Sequence, residues 1–366
     1  MCVTGATGFI GGHVTRSLLE RGHRVRVTFR DRERLARLRT LEVEPAAADI
    51  LDLGAMTRAA AGARVLFHVA GYVGSRDQER AWRVNALAPR VAVEAAAAAG
   101  VPRVVLTSTS ASIGAAERGR PVDERHLYRI GGHGLTYCNT KHEGEAEALA
   151  AGMRLGVEVV VLNPSYVLGV PVADERPGET STRAIGNYLC GRLPGFFDGT
   201  LSAVDVRDVA EGHLLAAERG RPGERYLLGG HNLTWRDLYA RVAELSGSHY
   251  PLMVFPAELG LLARAADAVG IRAYNKEGPA LMALDWRCTS ERAERELGYT
   301  VRPLEETLRE TIAWYSRLIE GGTLARARRT PNWAMARAVQ LAARLGGLRL
   351  ARAIERVTRR QSLFVP

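Results

Sequence analysis

Short β-branched runs alternate along the chain with longer stretches of Ala, Leu and Arg whose apolar positions recur at helical spacing. βαβ units around a parallel sheet produce this pattern, because their strands are buried on both faces and their helices on one. The pattern predicts strands over 2–4, 24–29, 64–69, 103–107 and 157–162. Helices are predicted to begin near Gly8, Asp31, Leu53, Asp77 and Thr136, with Asp31 as an N-cap. Beyond Asn163, Pro and Gly recur at Pro164, Pro171, Pro177, Gly178, Pro194 and Gly195, and the segments shorten, which predicts a second, smaller lobe. Further on, the pattern predicts a helix over 205–219, a strand over 225–228 ending at Gly229-Gly230, and a helix capped by Thr234. Gly321-Gly322 closes the compact body.

Composition narrows the class. With 366 residues, 46% hydrophobic and 25% charged, the chain has the make-up of a globular protein large enough for two lobes. No apolar run approaches the ~20 residues that span a bilayer. The sequence runs from Met1 straight into a short apolar strand and a glycine loop, and secretion is not expected. Cys2, Cys138, Cys190 and Cys288 stand far apart, as reduced thiols of a cytoplasmic protein do, and neither a metal site nor a disulfide frame is expected.

The net charge of +10 is concentrated in a tail. Residues 322–366 hold ten arginines against one acid, Glu355, so the body is nearly neutral. The tail splits at Gly346-Gly347 into two amphipathic halves. Peripheral contact with an anionic membrane through 322–366 is one reading, and a tail folded back on the body or on a second subunit is the other. Nucleic acid is not expected as a partner, since no recognition module is visible. Of the 50 basic residues only Lys141 and Lys276 are lysine. A lysine kept against such a bias marks a place where a compact ammonium does what a planar guanidinium cannot.

Three motifs carry chemistry. Gly5-Ala6-Thr7-Gly8-Phe9-Ile10-Gly11 follows the first strand and opens the first helix, where bare glycines let a dinucleotide diphosphate approach the backbone N–H groups. The second strand ends in Phe29-Arg30, and a guanidinium at that position accommodates the 2′-phosphate of NADP, whereas NAD calls for a carboxylate there. Tyr137 and Lys141 lie one helical turn apart. An ammonium on the same face is expected to lower the phenol pKa from its usual ~10 and make Tyr137 a general acid/base. Upstream, Thr107-Ser108-Thr109-Ser110 ends an apolar strand and places hydroxyls where open α/β sheets bind ligands.

With these motifs in this order, residues 1–321 resemble the extended short-chain dehydrogenase/reductases, in the branch of dihydroflavonol-reductase-like proteins, 3β-hydroxysteroid dehydrogenases and hopanoid-associated epimerases. The resemblance implies a cofactor loop at Gly5, Thr7, Gly8, Phe9, Ile10 and Gly11, an adenine contact at Asp49-Ile50, and a cofactor-binding segment at His68-Val69-Ala70-Gly71. It places the family's helix asparagine at Asn85 and the nicotinamide-side turn at Asn163-Pro164-Ser165. The catalytic set falls on Thr109, Tyr137 and Lys141, with Ser108 and Ser110 as register neighbours of Thr109. Lys141 also holds the nicotinamide ribose in such enzymes.

The fold expected is α/β, a Rossmann-type doubly wound parallel sheet with a smaller C-terminal substrate lobe and a helical basic tail. Residues 1–165, with 200–230 returning to them, form the NAD(P)-binding domain. Residues 166–199 and 231–321 form the substrate lobe. The function expected is interconversion of a secondary alcohol and a carbonyl on a lipophilic, sterol-like or polycyclic substrate, with NADP or NAD. A sugar-nucleotide epimerase with Arg183, Arg192 and Arg207 on a diphosphate is the alternative. The NmrA-like nucleotide sensors generally lose the Tyr/Lys pair, which makes a non-catalytic module the third choice. Homodimers through the helices of 77–100 and 136–155 are common in the family.

Overall fold

A computed structural model describes residues 1–74, 77–117, 119–172, 181–250, 252–255 and 277–327. The chain divides into two compact units, one of Met1–Ser181, Leu201–Asn232 and Asp285–Thr307, the other of Thr182–Thr200, Leu233–Leu284 and Leu308–Pro366.

The first unit is built on β1 (Cys2–Thr4), β2 (Arg26–Phe29), β3 (Glu44–Ala47), β4 (Val65–His68), β5 (Arg103–Thr107), β6 (Glu158–Pro164) and β10 (Arg225–Leu228). They form one sheet in the order β10-β6-β5-β4-β1-β2-β3, with every pair parallel. Alternate strand residues feed two cores. Val3, Val27, Phe67, Val105 and Val160 pack with α1 (Phe9–Glu20) and α8 (Val206–Arg219). Cys2, Leu66, Val104, Leu106 and Val159 pack with α3 (Leu53–Ala60), α5 (Ala88–Ala98) and α6 (Thr136–Leu155). This is the doubly wound arrangement that the alternation predicts. Asp31 and Asp205 cap α2 (Arg32–Leu35) and α8, and Thr234 with Asp237 forms a capping box at α9 (Trp235–Ser246).

The lobe boundary differs from the expectation. Residues 166–181 and 285–307 belong to the sheet unit, not to the smaller lobe. β7 (Tyr166–Leu168) pairs in parallel with β9 (Thr200–Asp205), Val122 bridges Cys288, and the helix Glu291–Leu297 buries Ala293 and Leu297 in the core shared with α8. Of the prolines and glycines after Asn163, Pro164 ends β6 and Gly195 opens a strand, Pro177 and Gly178 lie outside the described residues, and long-range pairing decides which core a segment joins. β3 was not foreseen, because Glu-Pro-Ala-Ala has low strand propensity, and Pro45 is tolerated because the strand lies at the sheet edge.

In the second unit, β8 (Gly195–Phe197) and β12 (Met253–Phe255) pair in parallel beside an aromatic cluster. Tyr239 stacks with Phe196 at 5.3 Å and Trp235 at 6.3 Å, and Tyr188 lies 5.7 Å away. Phe196 and Leu252 are core residues, while Phe197 and Phe255 face each other half-buried. The expected tail helices fall mainly in 328–366, outside the described residues. Among the described residues no helix is long and apolar enough to cross a membrane, and no group of His, Cys, Asp or Glu could hold a metal ion. None of the four cysteines is in a disulfide, and all are buried.

Candidate active site

The residues singled out in the sequence gather along one edge of the sheet. Gly5 follows β1, Arg30 follows β2, Asp49 lies just past β3, Ala70 follows β4, Thr109 follows β5, and Pro164 ends β6. In a parallel sheet these are the carboxyl ends, where open α/β folds bind ligands.

At the first of them the backbone packs too closely for side chains. Gly5 has φ +69°, and a Cβ on it would lie 2.6 Å from the Ala70 nitrogen. A Cβ on Gly11 would lie 2.1 Å from the Gly5 carbonyl oxygen. Gly8 is the exposed N-cap of α1, no side chain caps this end, and its first turn holds no acid. The loop thus leaves the helix N-terminus with free N–H groups and a positive dipole end, a cradle that fits a dinucleotide diphosphate. Thr7, Phe9 and Ile10 flank it half-buried, and the Ala70 N–H donates to Thr4 Oγ1 at 3.2 Å.

Arg30 lies 3.6 Å from Asp49, in a pair that is exposed on both sides and so contributes little to stability. Asp31, the next carboxylate, accepts from the Glu33 N–H at 2.8 Å and is occupied as a cap. Ile50 is half-buried against the α3–α5 core.

Tyr137, Lys141 and Glu145 share one face of α6, at successive i+4 positions. The Tyr137 phenol hydrogen-bonds the Thr109 side chain, whereas the Ser108 hydroxyl donates to Ser112 Oγ at 3.1 Å. The expected lowering of the phenol pKa is not found. Burial pushes Tyr137 up to about 12, only partly offset by Thr109, and Lys141 is not among the groups that act on it. Lys141 turns toward the sheet, where its Nζ donates to the Thr107 carbonyl at 3.1 Å, and burial lowers its own pKa to about 8 against the pull of Glu145. A shared helical face fixes proximity, but depth penalises the charged form of each group, and here depth wins. His68 is fully buried, bonds Thr4 Oγ1 at 3.1 Å, and is driven to about 3 by burial and by Lys141, so it stays neutral.

Asn85 sits in a π-helical turn, Trp82–Leu87, between two helical segments. Its side chain accepts from the Tyr72 N–H at 2.8 Å and donates to the Tyr72 carbonyl at 2.9 Å and to Thr140 Oγ1 at 3.2 Å. It thus ties a helix to the loop after β4. Gly144 makes this possible, since a Cβ there would lie 2.0 Å from the Asn85 carbonyl oxygen. Gly144→Ala is therefore expected to destabilise by ~1–3 kcal/mol, read as a lower denaturation midpoint at unchanged slope.

Behind the Tyr–Thr pair lies a buried network that the sequence did not reveal. Asn163 Nδ2 donates to Glu145 Oε1 at 2.6 Å and lies 3.1 Å from the Thr109 carbonyl. Ser112 Oγ lies 2.6 Å from the same carbonyl and also within reach of Glu145, and its one hydroxyl proton is shared between the two acceptors. Glu145 is only 3% exposed. One signal was available: Glu145 repeats, one turn on, the spacing that drew attention to Tyr137 and Lys141.

Known proteins match this chain over most of its length. Residues 1–229 match the model of the NAD dependent epimerase/dehydratase family. A putative dihydroflavonol 4-reductase from Synechocystis is 30% identical over 86% of this chain and 93% of its own length. Sterol demethylase protein B from Methylococcus capsulatus is 32% identical over 86% of this chain and 97% of its own. The crystal structure of a nucleoside-diphosphate-sugar epimerase from Pseudomonas aeruginosa superposes with a TM-score of 0.72 at 28% identity, covering 86% of this chain and 97% of that one. With a seven-stranded parallel sheet, a glycine cradle at its first strand and relatives that are reductases and epimerases, the chain belongs to the NAD dependent epimerase/dehydratase family, as an NAD(P)-dependent oxidoreductase of the extended short-chain type.

Proposed function

We propose that this enzyme is an NADP-preferring reductase of lipophilic, polycyclic carbonyl compounds, with Tyr137, Lys141 and Thr109 as its catalytic residues. The observation that carries the reading is the neutral, hydrogen-bonded Tyr137–Thr109 pair beside Lys141 at the carboxyl edge of the sheet. A phenol held near 12 keeps its proton at working pH and is set up to give it to a carbonyl oxygen, the role a reductase needs. Thr109 steadies that oxygen and Lys141 supplies a nearby positive charge. The Gly5–Gly11 cradle and the segment ending at Pro164 hold the nicotinamide cofactor, which supplies the hydride when bound.

Two observations support the substrate class. Two relatives, each matched over 86% of the chain, carry the names of a dihydroflavonol and a sterol. Two of the arginines considered for a sugar-nucleotide diphosphate are engaged elsewhere. Arg207 lies 2.8 Å from Asp205 and 3.4 Å from Glu306, and Arg192 donates to the Ala325 carbonyl at 2.7 Å. NADPH absorbance followed with a dihydroflavonol, a 3-keto sterol and UDP-glucose tests the reading. Stoichiometric loss with one of the first two supports it. Turnover of UDP-glucose without net oxidation would make the enzyme an epimerase, which retains its cofactor.

The preference for NADP rests on Arg30, exposed at the end of β2 and only loosely paired, with Asp31 engaged as a cap. Arg30→Ala should raise the KM for NADPH roughly 10- to 100-fold while barely moving that for NADH; equal effects on both would refute the assignment. The pH dependence follows from Lys141. Its lowered pKa means that the ammonium is lost as pH rises past about 8, while the phenol stays protonated. kcat/KM for carbonyl reduction should therefore fall on the alkaline side of about 8. A profile flat through that region would show that the charge of Lys141 is not required.

A further inference from the structure

We propose that Glu145 is a positioning residue for this site, holding the Thr109 loop through Ser112 and Asn163 and balancing the charge of Lys141 from one turn along α6. The proposal deepens the reading of Tyr137, Thr109 and Lys141 given above and rests on it.

A carboxylate this deep is costly unless it is fully bonded. Glu145 spends its two oxygens in different directions. Oε1 takes the Asn163 amide at 2.6 Å and the Ser112 hydroxyl. Asn163 in turn holds the carbonyl of Thr109 at 3.1 Å, and Ser112, whose one hydroxyl proton is shared with Glu145, lies 2.6 Å from it, so the residue whose side chain meets the phenol has its backbone fixed from behind. The carbonyl of Ser112 is tied back to α6 by His142 Nδ1 at 2.9 Å. Oε2 lies 3.5 Å from Arg225 of β10, at the wall of a cavity of about 400 Å³ that Glu124, His142 and Arg292 also line.

The titratable groups around Lys141 are few. Glu145 acts on it from its own helix and favours the ammonium. His68 at the end of β4 is neutral. Tyr137, one turn before it on α6, is also neutral. Glu145 is thus the neighbour whose charge sets how far burial can pull Lys141 down. Its own counter-ion, Arg225, faces it from the cavity side.

The scarcity of lysine makes this measurable without a substrate. Lys276→Arg leaves Lys141 as the sole lysine, so a ¹³C-lysine NMR titration reads that residue directly. In this background Glu145→Gln, which keeps volume and an acceptor oxygen, should move the Lys141 titration down by roughly one pH unit. Ser112→Ala should leave the titration in place. Both variants should lower kcat for NADPH-dependent reduction of the carbonyl probe roughly 10- to 100-fold and leave the KM for NADPH within about twofold. Ser112→Ala keeps the carboxylate, so it reads the loop half even if Glu145→Gln fails to fold. A Lys141 titration unmoved in Glu145→Gln, or wild-type kcat in Ser112→Ala, overturns the proposal. Wild-type kcat in Tyr137→Phe instead overturns the reading beneath it, and the lysine titration still reports on Glu145 alone.

Discussion

A Gly11→Ala variant will lose the stabilisation that NADPH gives the wild-type enzyme. The added methyl would sit 2.1 Å from the carbonyl oxygen of Gly5 and 2.7 Å from its carbon, both backbone atoms that cannot rotate away. Gly5 cannot yield either, because it is held at φ +69° against the backbone of Ala70. The loop must therefore open, at ~1–3 kcal/mol, and the N–H groups that cradle a diphosphate move with it. Thermal denaturation with and without cofactor reads both effects. Wild type should gain ~2.7 kcal/mol at NADPH a hundred times its Kd, and the variant should melt earlier and gain almost nothing. Wild-type melting with the full cofactor shift would mean that these glycines serve packing elsewhere and do not shape the cradle.

The sheet was legible because its inner strands are buried on both faces, and Val and Leu runs announce that directly. Cys2–Thr4 and Arg103–Thr107 lie where the pattern puts them, and the caps Asp31, Asp205 and Thr234 are local chemistry that short windows capture. β3 escaped because an edge strand needs neither apolar alternation nor β-branched residues. The lobe boundary escaped because the pairing of Val122 with Cys288 joins residues far apart in sequence, and only the folded chain reveals it. At the site, helical spacing correctly put Tyr137 and Lys141 on one face, and the choice of Thr109 over Ser108 matches the hydroxyl that meets the phenol. The sign of the phenol's shift was wrong, since spacing carries no information about depth. Glu145 was passed over for the same reason. On the page it is one acid among many on an amphipathic helix, and only burial turns it into part of the site.

Tyr137→Phe will cost the most activity for the least structural change. Phenylalanine keeps the ring and its packing and removes one hydroxyl, the atom bonded to Thr109. Without it no group in this pair carries a proton to the carbonyl oxygen: His68 is neutral and sealed behind Thr4, and Lys141 is tied to the Thr107 carbonyl. Loss of a general acid slows turnover by ~10²–10⁴-fold. The glycine cradle and Arg30 are untouched, so NADPH should bind as before. The decisive measurement is therefore kcat for NADPH-dependent carbonyl reduction in Tyr137→Phe, with NADPH affinity determined by fluorescence on the same preparation. Proton delivery by Tyr137 predicts a loss of ~10²–10⁴ in kcat at an NADPH Kd within about twofold of wild type; undiminished turnover with intact cofactor binding contradicts it.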